Sequence, residues 1–375
     1  MAVILDRVFE ANRALDEARS PCSISPGTRA RRRCGGASNA VRSAGIRVLA
    51  AALACASISC AVVDAQGVPD GVAEEPEPEP LYAAPTRSDR AGRIVAEVAV
   101  DGQGPYRFVV DTGANRSAVA PHLAEALALP ASRAGFVDLH GVTGSARLPS
   151  VEVGSLRAGE LELDPGPLPV LPHPVFAGTD GILGMEGFEG HRIEVDFTAD
   201  RVSIARATGR RPREKYYLVP ADLHRGLLVV EGRAGRLPVR AIIDTGAERT
   251  LGNAALRDAL VSGIEPRRRT QSRVVGATEA TYLGTTFVVP ALRIGNAQLR
   301  NLPVTFGNMH VFEIWGLARE PAVLIGMDII GTLRRFAVDY SRSEIQLMPH
   351  GPGRTMLQRC GPTECRSRIP NPDGR

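Results

Sequence analysis

The chain has 375 residues, of which 44% are hydrophobic and 23% are charged, and its formal net charge is +4. A chain of this length can bury two cores of ordinary size, and its composition excludes a collagen, a disulfide-dense miniature protein, a wholly disordered chain and a multi-span membrane protein. Nine Arg and five acidic residues fall in 1–65, which leaves 36 basic and 36 acidic residues in 66–375, so this larger part lacks the positive charge of a nucleic-acid binder.

Residues 1–65 are predicted to form a leader that contains a secretory signal peptide. The apolar stretch VLAAALACASISCAVV occupies residues 48–63, with Arg residues before it and small or branched residues after it, up to Ala65. This order is typical of an export signal, and we expect cleavage after Ala65 and a periplasmic or extracellular protein. An uncleaved inner-membrane anchor is the alternative, although about 16 residues are short for a span that needs about 20. The unusual composition of residues 1–40 favours a true translation start near residue 41.

Two further segments flank the part that is predicted to fold. The sequence EEPEPEP at 74–80 cannot pack a core and favours an extended conformation, so residues 66–91 are predicted to be a linker. At the other end, the tail 350–375 contains Cys360 and Cys365, which are the two Cys residues outside the leader. We predict a small local disulfide between them in an oxidising compartment, since a metal site would need further ligands nearby.

Between the linker and the tail, the chain repeats itself. From about residue 93, short apolar runs broken by Gly and Pro predict strands, and short helices are predicted at 122–129 and 254–261. The recurring pairs are FVVDTGANRSAVAP (108–121) with AIIDTGAERTLGN (241–253), VDLHGVTGSARL (137–148) with RVVGATEATYL (273–283), SLRAGELEL (155–163) with RIGNAQLRNLPV (293–304), DGILGMEGF (180–188) with AVLIGMDII (322–330), and HRIEVDFTADRVSIA (191–205) with RRFAVDYSRSEIQLM (334–348). Five blocks in the same order indicate a duplication and predict two lobes, at 92–210 and 217–349.

Each repeat combines an apolar strand that ends in Asp-Thr-Gly, a Gly-bearing hairpin, and an apolar run that ends in Gly. One Asp-Thr-Gly is a weak signal, but two copies with both partners in register are a strong one. The combination resembles the retropepsin-like aspartic proteases, in a tandem and exported bacterial form, over about 95–205 and 227–348. The resemblance implies an all-β protein whose two acid protease lobes form an intramolecular pseudo-dimer with the active site in the cleft. We expect a monomer, because one chain supplies both halves of the two-fold site.

The resemblance implies a catalytic dyad of Asp111 and Asp244, one from each repeat. Two neighbouring carboxyls share one proton, so that one acts as general base on a water and the other donates to the scissile carbonyl oxygen. The sequence leaves open which carboxyl is the base. No cofactor and no metal is required, and we expect a mildly acidic pH optimum.

The resemblance also assigns residues around the dyad. The supporting residues of the two loops are Thr112, Gly113, Ala114, Thr245, Gly246 and Ala247. The two flap tips comprise Gly141, Val142, Thr143 and Gly144 in the first repeat and Gly276, Ala277 and Thr278 in the second. The two Thr would bond to the backbone of the opposite loop, and the two loop Gly would place N–H groups against the carboxylates. Glu279 stands where the second Gly of a flap tip would fall, which predicts unsymmetrical flaps.

Several polar residues near these motifs are predicted to be structural. Ser117 and Thr250, each six residues after a dyad Asp, are expected to bond to local backbone. Asp328, beside the second apolar run, is expected to be solvated or paired with Arg. Asp196 and Asp339 are expected to bond to backbone or Arg.

The main functional hypothesis is an exported aspartic endopeptidase that cleaves peptide or protein substrates in an extended conformation. The alternative is a non-catalytic peptide-binding module that retains the aspartic protease fold. A third version keeps catalysis but restricts it to one partner beside the inner membrane. Contact with a membrane is expected only if the leader is uncleaved, and no nucleic-acid partner is expected.

Overall fold

The computed structural model describes residues 4–5, 82–85, 92–158, 161–208, 216–224, 227–261, 269–350 and 357–359, all of which lie in one structural unit. The predicted signal peptide with its cleavage site, and the Cys360–Cys365 pair, lie outside the described residues. Within the described ranges, no helix is both long enough and apolar enough to cross a membrane.

Strands dominate the described residues, and the helices are short. The strands of the first half are β1 (Ile4–Leu5), β2 (Tyr82–Pro85), β3 (Val95–Val100), β4 (Gln103–Val110), β5 (Ala118–Val119), β6 (Ala131–His140), β7 (Ser145–Val153), β8 (Leu156–Ala158), β9 (Leu161–Leu163), β10 (Gly166–Pro169), β11 (Gly181–Leu183), β12 (His191–Asp196) and β13 (Arg201–Arg206). The strands of the second half are β14 (Tyr217–Pro220), β15 (Asp222–His224), β16 (Leu227–Ala234), β17 (Leu237–Ile243), β18 (Leu251–Asn253), β19 (Thr270–Val275), β20 (Thr281–Ile294), β21 (Ala297–Gly307), β22 (Ala322–Ile325), β23 (Leu333–Asp339), β24 (Glu344–Pro349) and β25 (Leu357–Arg359). The helices are α1 (Pro121–Ala126), a 3-10 helix (His173–Phe176), α2 (Ala254–Val261), α3 (His310–Ile314) and α4 (Met327–Ile330).

Each lobe is built on β-sheet. The first lobe contains a six-stranded sheet in the order β5-β11-β4-β3-β8-β9 and a four-stranded sheet in the order β1-β6-β7-β10. The second lobe contains one nine-stranded sheet, with the path β15-β16-β17-β22-β18-β21-β20-β19 and with β25 beside β21. The prediction of an all-β fold with two lobes is therefore confirmed.

In both lobes, the apolar run that ends in Gly passes between the strand before Asp-Thr-Gly and the strand after it. Strand β11 is parallel to β4, with Ile182 opposite Val109, and antiparallel to β5. Strand β22 is parallel to β17, with Leu324 opposite Ile242, and antiparallel to β18. Strands that are covered on both faces read as continuous apolar runs, which explains the sequences of both crossing strands. Each crossing strand ends beside an Asp-Thr-Gly loop.

A six-stranded sheet joins the two lobes, in the order β14-β24-β23-β12-β13-β2. Its central pair is β12 with β23, in which Arg192 lies opposite Asp339 and Asp196 opposite Arg335. Arg335 Nε donates to Asp196 Oδ2 over 2.6 Å, and Asp196 Oδ1 accepts the N–H of Thr198 over 2.9 Å. Asp339 Oδ1 accepts a backbone N–H from the turn that follows it. Both aspartates therefore stabilise the ends of the two central strands, through which the sheet joins one lobe to the other.

Apolar packing follows this division. The largest cluster extends through both lobes and the joining sheet, and two smaller clusters lie near the cleft, one in each lobe. Trp315, which follows α3, is 1% exposed within the second-lobe cluster. Helix α2 has the predicted bounds, but α1 ends at Ala126 rather than near residue 129. It ends early because Ala128 adopts a left-handed φ of +47° and Pro130 follows.

Candidate active site

The structure places the two predicted dyad residues at equivalent strand ends. Asp111 follows β4 and Asp244 follows β17, and both residues are 0% exposed. The N–H of Asp111 donates to the carbonyl of Leu183 and the N–H of Asp244 to that of Ile325, each over 3.0 Å. Because both acceptors end a crossing strand, the crossing fixes the backbone of each Asp.

Two glycines allow the loops to approach one another. A Cβ atom on Gly113 would lie 2.4 Å from Cγ of Asp244, and one on Gly246 would lie 2.1 Å from Cγ of Asp111. Real Cβ atoms do not approach other heavy atoms so closely, so that no side chain fits at either position. The second residue after each Asp must therefore be Gly for reasons of space, and the structure brings the two carboxyl groups together across the cleft.

Two threonines tie the loops together by reciprocal hydrogen bonds. Thr112 Oγ1 donates to the carbonyl of Ile243 over 2.8 Å and accepts the N–H of Thr245 over 3.1 Å. Thr245 Oγ1 donates to the carbonyl of Val110 over 2.7 Å and accepts the N–H of Thr112 over 3.0 Å. Each hydroxyl thus bonds to the strand end and the loop of the opposite lobe. The geometry agrees with what the family resemblance implied for these residues.

Burial and the second carboxyl act together on Asp111. Desolvation raises the pKa of the Asp111 carboxyl well above its usual range, and the charge of Asp244 and a hydrogen bond with it raise this pKa further. The N–H of Gly113 donates to Asp111 Oδ1 over 2.9 Å and lowers the same pKa, but less strongly. The net effect keeps a proton on Asp111 at a pH where an isolated Asp would be ionised.

The backbone donors around the second carboxyl are arranged differently. Asp244 Oδ1 accepts the N–H of Gly246 over 2.8 Å and that of Ala247 over 3.0 Å. In the first loop, the N–H of Ala114 bonds instead to the backbone carbonyl of Asp111, over 3.2 Å. Two amide donors on one carboxylate oxygen stabilise a negative charge there. The two halves of the site are therefore similar in backbone but not in electrostatics.

A second layer of polar residues lies behind the first loop. Ser117 Oγ accepts the N–H of Gly184 over 3.0 Å, and the N–H of Ser117 donates to Glu186 Oε1 over 2.6 Å. Burial raises the pKa of Glu186. The expectation that Ser117 bonds to local backbone is wrong, since its partner Gly184 is 67 residues away and ends the crossing segment.

The second loop repeats this arrangement with a shorter carboxylate. Thr250 Oγ1 accepts the N–H of Gly326 over 3.1 Å and donates to Asp328 Oδ1 over 2.7 Å, while Asp328 Oδ2 accepts the N–H of Thr250 over 3.0 Å. The expectation for Thr250 is therefore also wrong. Asp328 is bonded to Thr250; burial raises the pKa of Asp328, and Arg249 is close enough to lower it. The sequence signal for this layer was the acidic residue two positions after Gly in both repeats, GME and GMD.

The predicted flap tips contact one another above the loops. The first tip joins β6 to β7 and the second joins β19 to β20. Thr143 Oγ1 donates to the carbonyl of Ala280 over 2.7 Å, and a Cβ on Gly276 would lie 2.1 Å from Thr143 Oγ1. Glu279 adopts a left-handed φ of +60°, the conformation for which Gly is usual. The flaps differ in sequence and in backbone.

Each flap tip packs its apolar residue into the opposite lobe. Val142 of the first flap is 4% exposed in the second-lobe cluster with Phe312 and Trp315. Ala277 of the second flap is 0% exposed in the first-lobe cluster with Phe176. A further bridge runs through Ser145 Oγ, which bonds both His140 Nδ1 and His310 Nε2 (2.6 and 2.7 Å) and so connects the first flap to α3.

One cavity of about 500 Å³ lies on the Asp244 side of the cleft. It is lined by loop residues 246–249, by residues 272–276 of the second flap, by Val142 of the first flap, and by Arg93 and Val175 of the first lobe. Within the described residues, no group of three or more His, Cys, Asp or Glu side chains could hold a metal ion.

A family model described as aspartyl protease matches residues 96–186 and 230–329, which together make up about half of the chain. Each matched region contains one Asp-Thr-Gly loop, one flap and one crossing strand. No curated protein matches the chain significantly.

Proposed function

Because the chain belongs to the aspartyl protease family, we propose that it is an exported endopeptidase whose Asp111 and Asp244 activate a water to hydrolyse peptide bonds. The observation that carries the proposal is the close approach of the two Asp-Thr-Gly loops. Each loop has room only for Gly opposite the other carboxyl, and the carboxyl groups are buried together. A binding protein would not require this juxtaposition of two desolvated acids, whereas a shared-proton dyad does.

The electrostatic asymmetry supports a division of labour within the dyad. We assign the proton to Asp111, because burial and the neighbouring carboxyl raise its pKa. We assign the negative charge to Asp244, whose Oδ1 accepts two backbone N–H groups. A protonated acid and an ionised base within one site are what hydrolysis without a covalent intermediate requires.

The reaction then proceeds in two steps. Asp244 takes a proton from water while the water oxygen bonds to the scissile carbonyl carbon, and Asp111 gives its proton to the carbonyl oxygen, which yields a diol. In the second step, Asp244 returns its proton to the amide nitrogen, Asp111 takes a proton from one diol hydroxyl, and the carbon–nitrogen bond breaks. The products are a carboxylic acid and an amine, and both Asp residues regain their initial protonation states.

The surrounding residues serve this chemistry by holding the two carboxyl groups still. The Thr112–Thr245 bonds and the crossing strands fix both loops from opposite sides. Displacement of a reacting group by about 1 Å can reduce a rate by about two orders of magnitude, so rigidity at this point matters. The contact between the two flap tips is consistent with a substrate that binds as an extended strand and is shielded from solvent.

Export is the part of the proposal that depends on sequence alone. The apolar stretch at 48–63, its preceding Arg residues and the small residues up to Ala65 support a cleaved signal and a periplasmic or extracellular location. Mass spectrometry of the mature protein tests this part directly. A new N-terminus at Gln66 supports it, and an intact leader in the membrane fraction contradicts it.

The central test is cleavage by the purified protein. It is incubated with an unstructured protein and a peptide library from about pH 3 to 7.5, the range over which such a dyad titrates. Asp111→Asn and Asp244→Asn should each abolish cleavage, because the dyad needs both carboxyls. Asp200→Asn is the matched control, since Asp200 is exposed in the turn after β12 and its replacement makes the same exchange of a carboxyl for an amide. Cleavage that survives either dyad replacement contradicts the proposal, and peptide binding without cleavage by the folded wild type favours the binding module.

A further inference from the structure

The two halves of the cleft differ in the surroundings of the residues that follow Asp-Thr-Gly-Ala. The first loop continues with Asn115 and Arg116, and the second with Glu248 and Arg249. Asn115 is 7% exposed, whereas Glu248 and Arg249 are both exposed and line the cavity of about 500 Å³. The open space of the cleft therefore lies on the second-loop side.

The two equivalent Arg residues are used differently. The side chain of Arg116 contacts the backbone of its own lobe: its Nη2 donates to the carbonyls of Pro165 and Pro167, the latter over 3.1 Å. These contacts commit the Arg116 guanidinium to the local backbone. Arg249 lines the cavity instead. A duplicated position has thus kept its residue type, but the two Arg residues have different surroundings: Arg116 bonds to backbone carbonyls, and Arg249 lines the cavity.

Two further Arg residues bring the same charge to this cavity. Arg273 is an exposed residue of β19, on the second flap, and lines the cavity beside Arg249. Arg93 reaches it from the first lobe, where it is 4% exposed and its Nη2 donates to the carbonyl of Val175 over 3.0 Å. Three Arg residues from three separate segments of the chain therefore line one cavity.

The carboxylates in the lining only partly offset this charge. Both oxygens of Asp328 are bonded to Thr250, and burial raises the pKa of Asp328. Glu248 is the other acidic residue of the lining, and it is exposed. Three Arg residues thus line the cavity together with two acidic residues, so basic residues outnumber acidic ones in its lining.

We propose that this half of the cleft binds an acidic side chain of the peptide substrate, Asp or Glu, and that Arg249 and Arg273 are its specificity-determining residues. The proposal rests on the proposed function and names its substrate class. The planar guanidinium group donates two parallel hydrogen bonds to a carboxylate, which a neutral amide side chain accepts less well. The cavity falls within the range of about 300–1,000 Å³ that is common for ligand sites, and so accommodates an acidic side chain together with adjoining backbone.

The test separates binding from catalysis. The Asp111→Asn variant leaves the lining residues of the cavity intact and is titrated with peptide sets that differ at one position only, Glu, Gln or Lys. We expect one position at which Glu binds at least about tenfold more tightly than Gln, and Lys more weakly than both. The preference should shrink severalfold when the salt concentration is raised, since part of the lining is exposed.

Replacement of the two Arg residues identifies the source of the preference. Arg249→Gln and Arg273→Gln, each added to Asp111→Asn, should each reduce the Glu-over-Gln ratio severalfold while Gln peptides bind as before. Arg300→Gln is the matched control, because Arg300 is an exposed residue of β21 outside the cavity lining. Equal binding of Glu and Gln peptides at every position, a preference unaffected by both replacements, or no binding of any peptide overturns the inference.

The same peptides distinguish this inference from the proposed function. They are also incubated with the wild-type protein, and cleavage is followed by mass spectrometry. Cleavage with no acidic preference supports the protease and overturns the acidic subsite. An acidic preference in binding without cleavage supports the subsite and contradicts the protease.

Discussion

Replacement of Thr245 by Val tests how strongly the two lobes depend on the threonine pair. Val has nearly the shape of Thr, but it lacks the hydroxyl that donates to the carbonyl of Val110 and accepts the N–H of Thr112. Thr245 is 1% exposed, so water cannot replace these partners without a movement of the loops. The change therefore removes two buried hydrogen bonds and leaves no cavity.

The magnitude follows from the two groups that lose a partner. Each buried donor or acceptor left unsatisfied costs about 1–3 kcal/mol, so Thr245→Val should lower the free energy of unfolding by about 2–6 kcal/mol. A domain is stable by about 5–15 kcal/mol in total, so this loss is large. Thr112→Val removes the other two bonds and should cost a similar amount. The double variant should cost less than the sum, because loops that have already separated leave fewer buried groups to satisfy.

Urea unfolding followed by tryptophan fluorescence measures these differences without any assumption about activity. Trp315 is the single Trp of the chain, and it is buried in the second-lobe cluster. Thr245→Ser is the control, since it retains the hydroxyl and loses one methyl group, for about 1 kcal/mol. Equal midpoints for the Val and Ser variants would refute the argument that the hydrogen bonds, rather than the packing, hold the loops together.

Three further predictions concern the dyad, the flaps and the joining sheet. A carboxyl whose pKa is raised in the folded state makes that state less stable as the pH rises above about 3.9, the pKa of an unfolded Asp. The Tm of Asp111→Asn should therefore exceed that of the wild type at pH 7 and equal it at pH 3. A lower Tm for the variant at pH 7 contradicts this. Gly276→Ala places a Cβ 2.1 Å from Thr143 Oγ1 and should speed amide hydrogen exchange at both flap tips, and unchanged exchange contradicts the contact. Burial opposes the lowering of the Asp196 pKa, but backbone N–H groups and Arg335 lower it below its usual range. Arg335→Gln should therefore lower Tm at pH 7, and its difference in Tm from the wild type should narrow as the pH falls below about 3.9 and through the lowered pKa of Asp196. A difference in Tm that is constant with pH excludes this pair as the cause.

The overall fold was predictable because the chain contains a duplication, and its two halves can be aligned with each other. Asp-Thr-Gly, the flap hairpin and the apolar-Gly run recur in the same order, and each block corresponds to a defined element in both lobes. The all-β class and the two-lobed arrangement follow from this order. The short helix α1 was placed less accurately, since its end depends on a left-handed residue, Ala128, that no composition rule marks.

The layer behind the loops was missed for a different reason. Ser117 and Thr250 are small polar residues in loops, and the usual partner of such a residue is local backbone. Their actual partners, Gly184 and Gly326, come from crossing strands that are distant in sequence. The fold brings these partners to the loops. A hydroxyl residue six positions after each Asp therefore predicts a hydrogen bond, but the sequence alone does not identify its partner.

The asymmetry of the site has its origin in the fusion of the two repeats. A two-fold site built from identical chains must place the same residue at both equivalent positions, and any change affects both. In one chain the equivalent positions can change separately. Asn115 and Glu248 occupy equivalent positions but differ in residue type. Ala114 and Ala247 have the same residue type, but the N–H of Ala114 donates to a backbone carbonyl and that of Ala247 to a carboxylate. The unequal carboxyls and the Arg-lined cavity on the second-loop side are both consequences of this freedom. It allows one half of the cleft to specialise in holding a substrate side chain while the geometry that joins the two loops stays nearly symmetrical.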